Sequence, residues 1–216
     1  RDRHTWVMTV IYTMTFGSFI GYAASFALAI KVVFGYQHVM VDGVMTHDLV
    51  NPNGPSALMY AWMGAFIGAL IRPIGGQISD KIGGALVTQI ISVIMFASAL
   101  GVAYYLKLAY SSASPEEYCV PFLLLFLVLF AATGIGNGST VRTISQVFDE
   151  EQAGPVLGWT SAIAAYGANY IPTVFGEQIK ATTPENALFG FAIFYGVCIV
   201  INWWFYLRKG AEFHNP

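Results

Sequence analysis

The chain has 216 residues, 56% of them apolar and 10% charged, with a formal net charge of −2 and a mean hydropathy of +0.60. A soluble domain carries roughly 25% charged residues, so this balance excludes a disordered tail, a secreted disulfide scaffold and nearly every water-soluble fold. The charges cluster and leave six charge-free stretches, 5–30, 49–71, 82–106, 118–141, 152–176 and 186–207, each of 22 to 26 residues. A helix needs about 20 apolar residues to cross a bilayer, whereas a barrel strand alternates polar and apolar over about ten. The pattern therefore predicts an all-α membrane protein: one six-helix transmembrane domain over 1–216, surrounded by lipid.

In chain order the helices are expected at roughly 6–34, 56–79, 85–107, 119–147, 154–176 and 186–207. The first stretch is too long for a signal-peptide core and lacks a small-residue cleavage site, so it is expected to remain in the mature protein. A long polar loop, 37–55, follows it and holds Asp42, His47, Asp48 and the turn-forming Asn51-Pro52-Asn53-Gly54-Pro55. Asp80-Lys81-Ile82-Gly83-Gly84 makes a tight turn, and 111–117 is a second polar loop. Six spans place both termini on one side. That side carries Arg1, Arg3, Lys81, Arg142, Arg208 and Lys209 against Lys31, Lys107 and Lys180 opposite, so both termini are expected to be cytoplasmic. The four histidines read as peripheral, and Trp203, Trp204 and Tyr206 as interfacial anchors. Cys119 and Cys198 read as small apolar residues. The helices divide into two triplets, 1–108 and 109–216, of opposite orientation, the arrangement of inverted repeats nested in transporter halves.

Arg72 is the residue that fits a lipid-spanning helix worst. It lies eight residues, about 12 Å along the axis, before Asp80. An arginine at such depth costs roughly 2.5–3.5 kcal/mol on insertion scales. No acid lies one turn away on its own helix, and none occurs in the six charge-free stretches. Its side chain either snorkels to the interface, toward Asp80, or is met by backbone carbonyls, water in a cavity, a group on another chain or a bound anion. Arginine suits a planar oxyanion because its rigid fork can donate to two oxygens at once and stays ionised when dehydrated. Arg142, seven residues before Asp149, reads as an interface anchor or loop ion pair.

Gly17-Ser18-Phe19-Ile20-Gly21 and Gly64-Ala65-Phe66-Ile67-Gly68 are small-residue patterns that let helices approach closely in lipid. Gly134-Ile135-Gly136-Asn137-Gly138-Ser139-Thr140 is too rich in glycine and polar groups to face lipid, so it is expected to line a cavity or a tight helix contact. Gly167-Ala168-Asn169 repeats the combination, and the Asn169 amide needs a partner, either on a neighbouring helix or in a substrate. Tyr12 and Phe16 are one turn apart and could wall a weakly hydrated anion or simply pack.

Several of these stretches together resemble the NarK-type nitrate/nitrite porters of the major facilitator superfamily. Ala65–Gly84, with Arg72 and the turn Gly76-Gln77-Ile78-Ser79-Asp80-Lys81-Ile82-Gly83-Gly84, is similar to the eighth helix and following turn of that family. Gly134–Arg142 is similar to the tenth, Phe16–Gly21 to the seventh, and Gly158-Trp159-Thr160 through Asn169-Tyr170-Ile171-Pro172 to the eleventh. The resemblance implies the carboxyl-terminal six-helix half of a twelve-helix fold, whose amino-terminal half would be its partner. It implies that Arg72 grips nitrate or nitrite, with Tyr12, Phe16, Asn169 and Gly167 at the substrate and Gly134, Gly136, Asn137, Ser139 and Thr140 in a cavity-lining signature. The loop 37–55 is longer than the family link expected there.

The expected function is transport of nitrate and nitrite across the cell inner membrane, as exchange of one anion for the other. Nitrate–proton symport and a non-transporting membrane scaffold are the alternatives. No Ser/His, paired-carboxylate or metal-ligand constellation falls within the spans, so neither an enzyme nor a cofactor or metal is expected, and nucleic acid is not an expected partner.

Overall fold

The computed structural model describes residues 2–216. The first expected span is a continuous helical rod: α1 (Asp2–Tyr12), a π segment (Thr13–Gly17), α2 (Ser18–Ala29) and a second π segment (Ile30–Phe34). Thr9 and Thr13 donate to the carbonyls of Thr5 and Thr9 at 2.8 Å, so their hydroxyls are satisfied within the helix. Then come α3 (Ala57–Ile82), α4 (Gly84–Ala109), a 3-10 turn (Pro115–Tyr118), α5 (Cys119–Val147), α6 (Glu150–Ala164), α7 (Gly167–Lys180) and α8 (Glu185–Asn202), which ends in a π segment (Trp203–Leu207).

Among the described residues, five helical stretches are long and apolar enough to cross a membrane: Arg3–Phe34, Ala57–Ile82, Gly84–Ala109, Pro115–Val147 and Glu185–Leu207. The expected fifth span, 154–176, is not one helix. It breaks at Ala165 and Tyr166 into α6 and α7, and the chain carries Pro155 and Pro172 within those pieces. Apolar composition alone could not reveal a break whose turn residues are themselves apolar.

The second correction concerns 37–55. It is not an irregular loop but a hairpin of β1 (Tyr36–Val41) and β2 (Val44–Val50), paired antiparallel. Asp42 and Gly43 form its two-residue turn with φ of 49° and 80°, the left-handed pair that a twisted hairpin requires. An Asp-Gly pair between apolar residues is a hairpin signal, and here the polar residues around it obscured it.

α5 is the centre of the bundle, running between α3 and α4, while α4 packs on α8 and α2 on α7. The core is aromatic: Tyr22, Phe26, Phe122, Phe126 and Phe130 form a column with ring centroids 4.8–6.4 Å apart. Apolar burial drives little association within lipid, so such shape-fitted contacts, with interhelical hydrogen bonds, must hold the helices together. The bonds are present. Tyr22 and Tyr195 share a hydroxyl contact of 2.5 Å, Tyr195 donates to Ser18, and Asn202 donates to Ala85 and Gln89.

At the end of the bundle that holds both chain ends, His4 is buried and meets the Tyr206 hydroxyl at 3.2 Å and Glu212 at 3.1 Å. Neither His4 nor Tyr206 is therefore the peripheral residue its position near a terminus suggests. The turn between α3 and α4 rests on Gly83, at φ 92°, with Asn215 bridging the Ile82 carbonyl and the Leu86 N–H. A side chain at 83 is strained there and meets the Asn215 amide. Gly83→Ala should lower unfolding stability by about 1–3 kcal/mol. Gly76→Ala, on α3 with open space around it, should be neutral or gain up to about 1 kcal/mol. Thermal unfolding of the two purified variants in detergent measures the contrast.

Candidate anion site

Arg72 is positioned by glycines. Along the α3–α5 crossing, a methyl at Gly68 would stand 3.0 Å from the Phe130 carbonyl, one at Gly75 2.7 Å from the Ile135 Cα, and one at Gly138 2.7 Å from the Gly76 nitrogen. A methyl at Gly134 would strike the Gly68 carbonyl, and one at Gly138 the carbonyl of Arg72 itself. The two backbones touch, and the Arg72 main chain is held in that contact. Pro73, next in line, lacks the N–H that would bond the Ala69 carbonyl and so interrupts the helix ladder beside the arginine.

Arg72 is exposed on the surface of this chain, and among the described residues no carboxylate forms an ion pair with it. Asp80, the acid toward which it could have snorkelled, instead accepts a 2.5 Å bond from Arg142 of α5. What lies beside Arg72 is the first rod: the Tyr12 hydroxyl interacts with both the Arg72 guanidinium and the Ser161 side chain of α6. Tyr12 is buried and stacks on Phe16, with centroids 5.2 Å apart and planes 21° from parallel. Phe16 sits in the π segment Thr13–Gly17, whose extra residue per turn changes which side chains face the interior. That segment is tied to α5 by Thr15 and Thr140, whose hydroxyls meet at 3.2 Å. Arg72, Tyr12, Phe16 and Ser161 thus form one cluster of a cation, two aromatic rings and two hydroxyls.

The remaining expected residues are placed otherwise. Gly134, Gly136 and Gly138 are filled by neighbouring helices, Gly136 by Ile91 and Thr15, so this motif builds tight contacts. Ser139 bonds Thr88 at 2.8 Å. Asn137 differs from them: it is buried, and its side-chain oxygen has no hydrogen-bond partner among the described residues. Gly167 abuts Gly17, where a methyl would stand 2.7 Å from the Gly17 carbonyl carbon. It also lines a cavity of about 540 Å³ with Thr13, Tyr166, Tyr170 and Tyr195, which Arg72, Tyr12 and Phe16 do not line. Asn169 is exposed on α7, two residues beyond that crossing. Ser161 was not legible as a site residue, since a serine in an apolar stretch carries no signal until α6 is known to cross α1.

No family model matches the chain. Relatives do. It is 40% identical over 98% of its length to a probable nitrate/nitrite antiporter, NarK2, of Thermus thermophilus, and 32% identical over 95% to the nitrate/nitrite transporter NarU of Escherichia coli strain K12. A probable nitrate transporter, NarT, of Staphylococcus carnosus is 28% identical over 68%. The chain belongs to the NarK-type nitrate/nitrite porter family. It spans about half the length of the curated relatives it matches, 44% of NarK2 and of NarU. In this NarK-type chain the π segment and the α6–α7 break lie on either side of the Gly17–Gly167 crossing. Gly138→Ala should lower stability by about 1–3 kcal/mol, because the new methyl must push α3 away from α5. Its thermal midpoint, set against that of Gly190→Ala, where nothing lies near, measures this.

Proposed function

We propose that this chain is the carboxyl-terminal six-helix domain of a twelve-helix carrier that moves nitrate and nitrite across the cell inner membrane by alternating access, as an antiporter. The observation that carries the reading is Arg72, a membrane-level guanidinium without a carboxylate partner among the described residues, next to the stacked Tyr12 and Phe16. The names of the relatives supply the substrate.

The guanidinium fork donates two parallel N–H bonds to two oxygens of the planar anion. The Tyr12 hydroxyl, held by Ser161, orients the guanidinium or donates to the third oxygen. Ring edges of Tyr12 and Phe16 replace water around the weakly hydrated ion. An unfilled arginine is costly to carry through the occluded state, and a bound anion neutralises it, so the site reorients loaded and exchange results. α3 exposes Leu58, Trp62, Phe66, Leu70 and Ile74, an apolar stripe for the amino-terminal half to cover, with Asn169 joining the site from α7. Both termini lie on the cytoplasmic side, where Lys and Arg are in excess.

The test is the full-length protein in proteoliposomes loaded with nitrite and supplied with labelled nitrate outside. Arg72→Lys should lose about ten- to hundred-fold in exchange, the equivalent of one charge-assisted bond of roughly 1.5–3 kcal/mol. Exchange at the parental rate overturns the reading, and nitrate uptake in step with proton entry replaces antiport with symport.

A further inference from the structure

The hairpin lies outside the spans, yet it is bonded to three of them at their ends. The His38 N–H donates to the Ser112 carbonyl at 3.1 Å, the loop leaving α4. Asn51, at the hairpin base, donates to the Phe34 carbonyl at 3.1 Å and to Glu116 at 2.7 Å, ahead of α5. Between the pairs Gln37–Leu49 and Val39–Thr46 the strands slip register, and His38 faces the wider side. Such a bulge re-aims a side chain. Here the extra residue is on β2, so that His47 and Asp48 together oppose His38, which is 1% exposed.

His38 Nε2 stands 2.7 Å from the Val33 carbonyl, and its Nδ1 2.7 Å from the Nδ1 of His47. A carbonyl only accepts, so the proton of His38 is on Nε2 and its Nδ1 is bare. The Nδ1–H of His47 then donates to it, which leaves His47 Nε2 without a proton. That nitrogen is buried and has no partner among the described residues. The His47 ring lies flat on Tyr110, centroids 4.2 Å apart and planes 10° from parallel. Both hydrogen bonds are satisfied with the two rings neutral and need at least one of the facing Nδ1 atoms bare. One added proton goes to His47 Nε2, where no acceptor waits, and a second sets N–H against N–H.

We propose that the His38–His47 pair is a proton-operated latch: neutral, it holds the 36–50 hairpin on the ends of α2, α4 and α5, and in acid it releases it. Burial pushes both imidazoles below the ordinary histidine value; at His38 the bond to the Val33 carbonyl opposes this and the proximity of the His47 ring adds to it. Asp48 opposes the shift at His47. The other charged groups on the packed elements are Glu116, which already accepts from Asn51, Glu117 on the same turn, and Lys31 and Lys107 near the helix ends. The Tyr110 phenol, raised by burial, stays neutral throughout. The released hairpin binds more protons than the latched one. Latching is therefore complete above about pH 6.5 and weakens as pH falls below it, by up to about tenfold per unit for each proton taken up.

Hydrogen–deuterium exchange of the full-length protein, corrected for intrinsic rates, tests this without reference to what is carried. Amides of 36–50 should lose protection between about pH 7.5 and about pH 5, while those of α5 do not. His47→Gln, which keeps a donor for His38 and leaves one titrating ring of the two, should roughly halve the steepness of the step. Exchange of the histidine C2 hydrogens in the parent, read by mass spectrometry, should give both rings values below about 6.5. Protection that stays flat with pH, a step as steep in His47→Gln as in the parent, or ring values at or above the ordinary one each overturn the latch.

Discussion

Everything at the candidate site depends on the backbone contact between α3 and α5. Glycines at 64, 68 and 75 on one helix and 134 and 138 on the other remove the side chains that would keep the two apart. In lipid there is little apolar burial to gain from association, so close approach and dispersion contacts must supply the attraction. The same contact fixes the Arg72 main chain against Gly138, and so sets where a long, flexible cation begins. A guanidinium anchored on a loose helix could reach its own interface. Anchored here, it stands beside Tyr12.

The second constraint is the disposal of charge and polarity elsewhere in the spans. Asp80 is taken by Arg142, and the hydroxyls of Thr15, Thr88, Ser139 and Thr140 bond one another or nearby carbonyls. Nearly every polar group in the α5 motif is thus accounted for by packing. Arg72, without a carboxylate partner, and the Asn137 and Asn202 side-chain oxygens, without a hydrogen-bond partner among the described residues, stand out against that background. Unsatisfied groups in the membrane are costly, and the proposed anion site rests on the one that carries a charge, Arg72.

Much of this was legible in the sequence because lipid imposes a simple rule on composition. Charge-free stretches marked five spans and, wrongly, an unbroken sixth, while an arginine without an acid at helical spacing marked the candidate site. Gly134–Thr140 was legible as poor lipid-facing sequence, but whether it met a cavity or a helix depended on which element lay opposite, and that is tertiary information. The break at Ala165–Tyr166 and the π segment at Thr13–Gly17 left no trace, because backbone irregularity among apolar residues changes no periodicity that a short window resolves. The hairpin was legible from Asp42-Gly43 and the Val-rich flanks, yet proximity to Asn51-Pro52-Asn53-Gly54-Pro55 made the whole segment read as loop. Its two histidines gained meaning only when the bulge brought them ring to ring.

The most direct measurement is an experimental structure of the full-length protein with nitrate bound. The account predicts density for a planar anion at the Arg72 guanidinium, bonded through two of its oxygens and flanked by Tyr12 and Phe16. An Arg72 side chain closed onto a carboxylate of the other half, with nitrate elsewhere or absent, contradicts it.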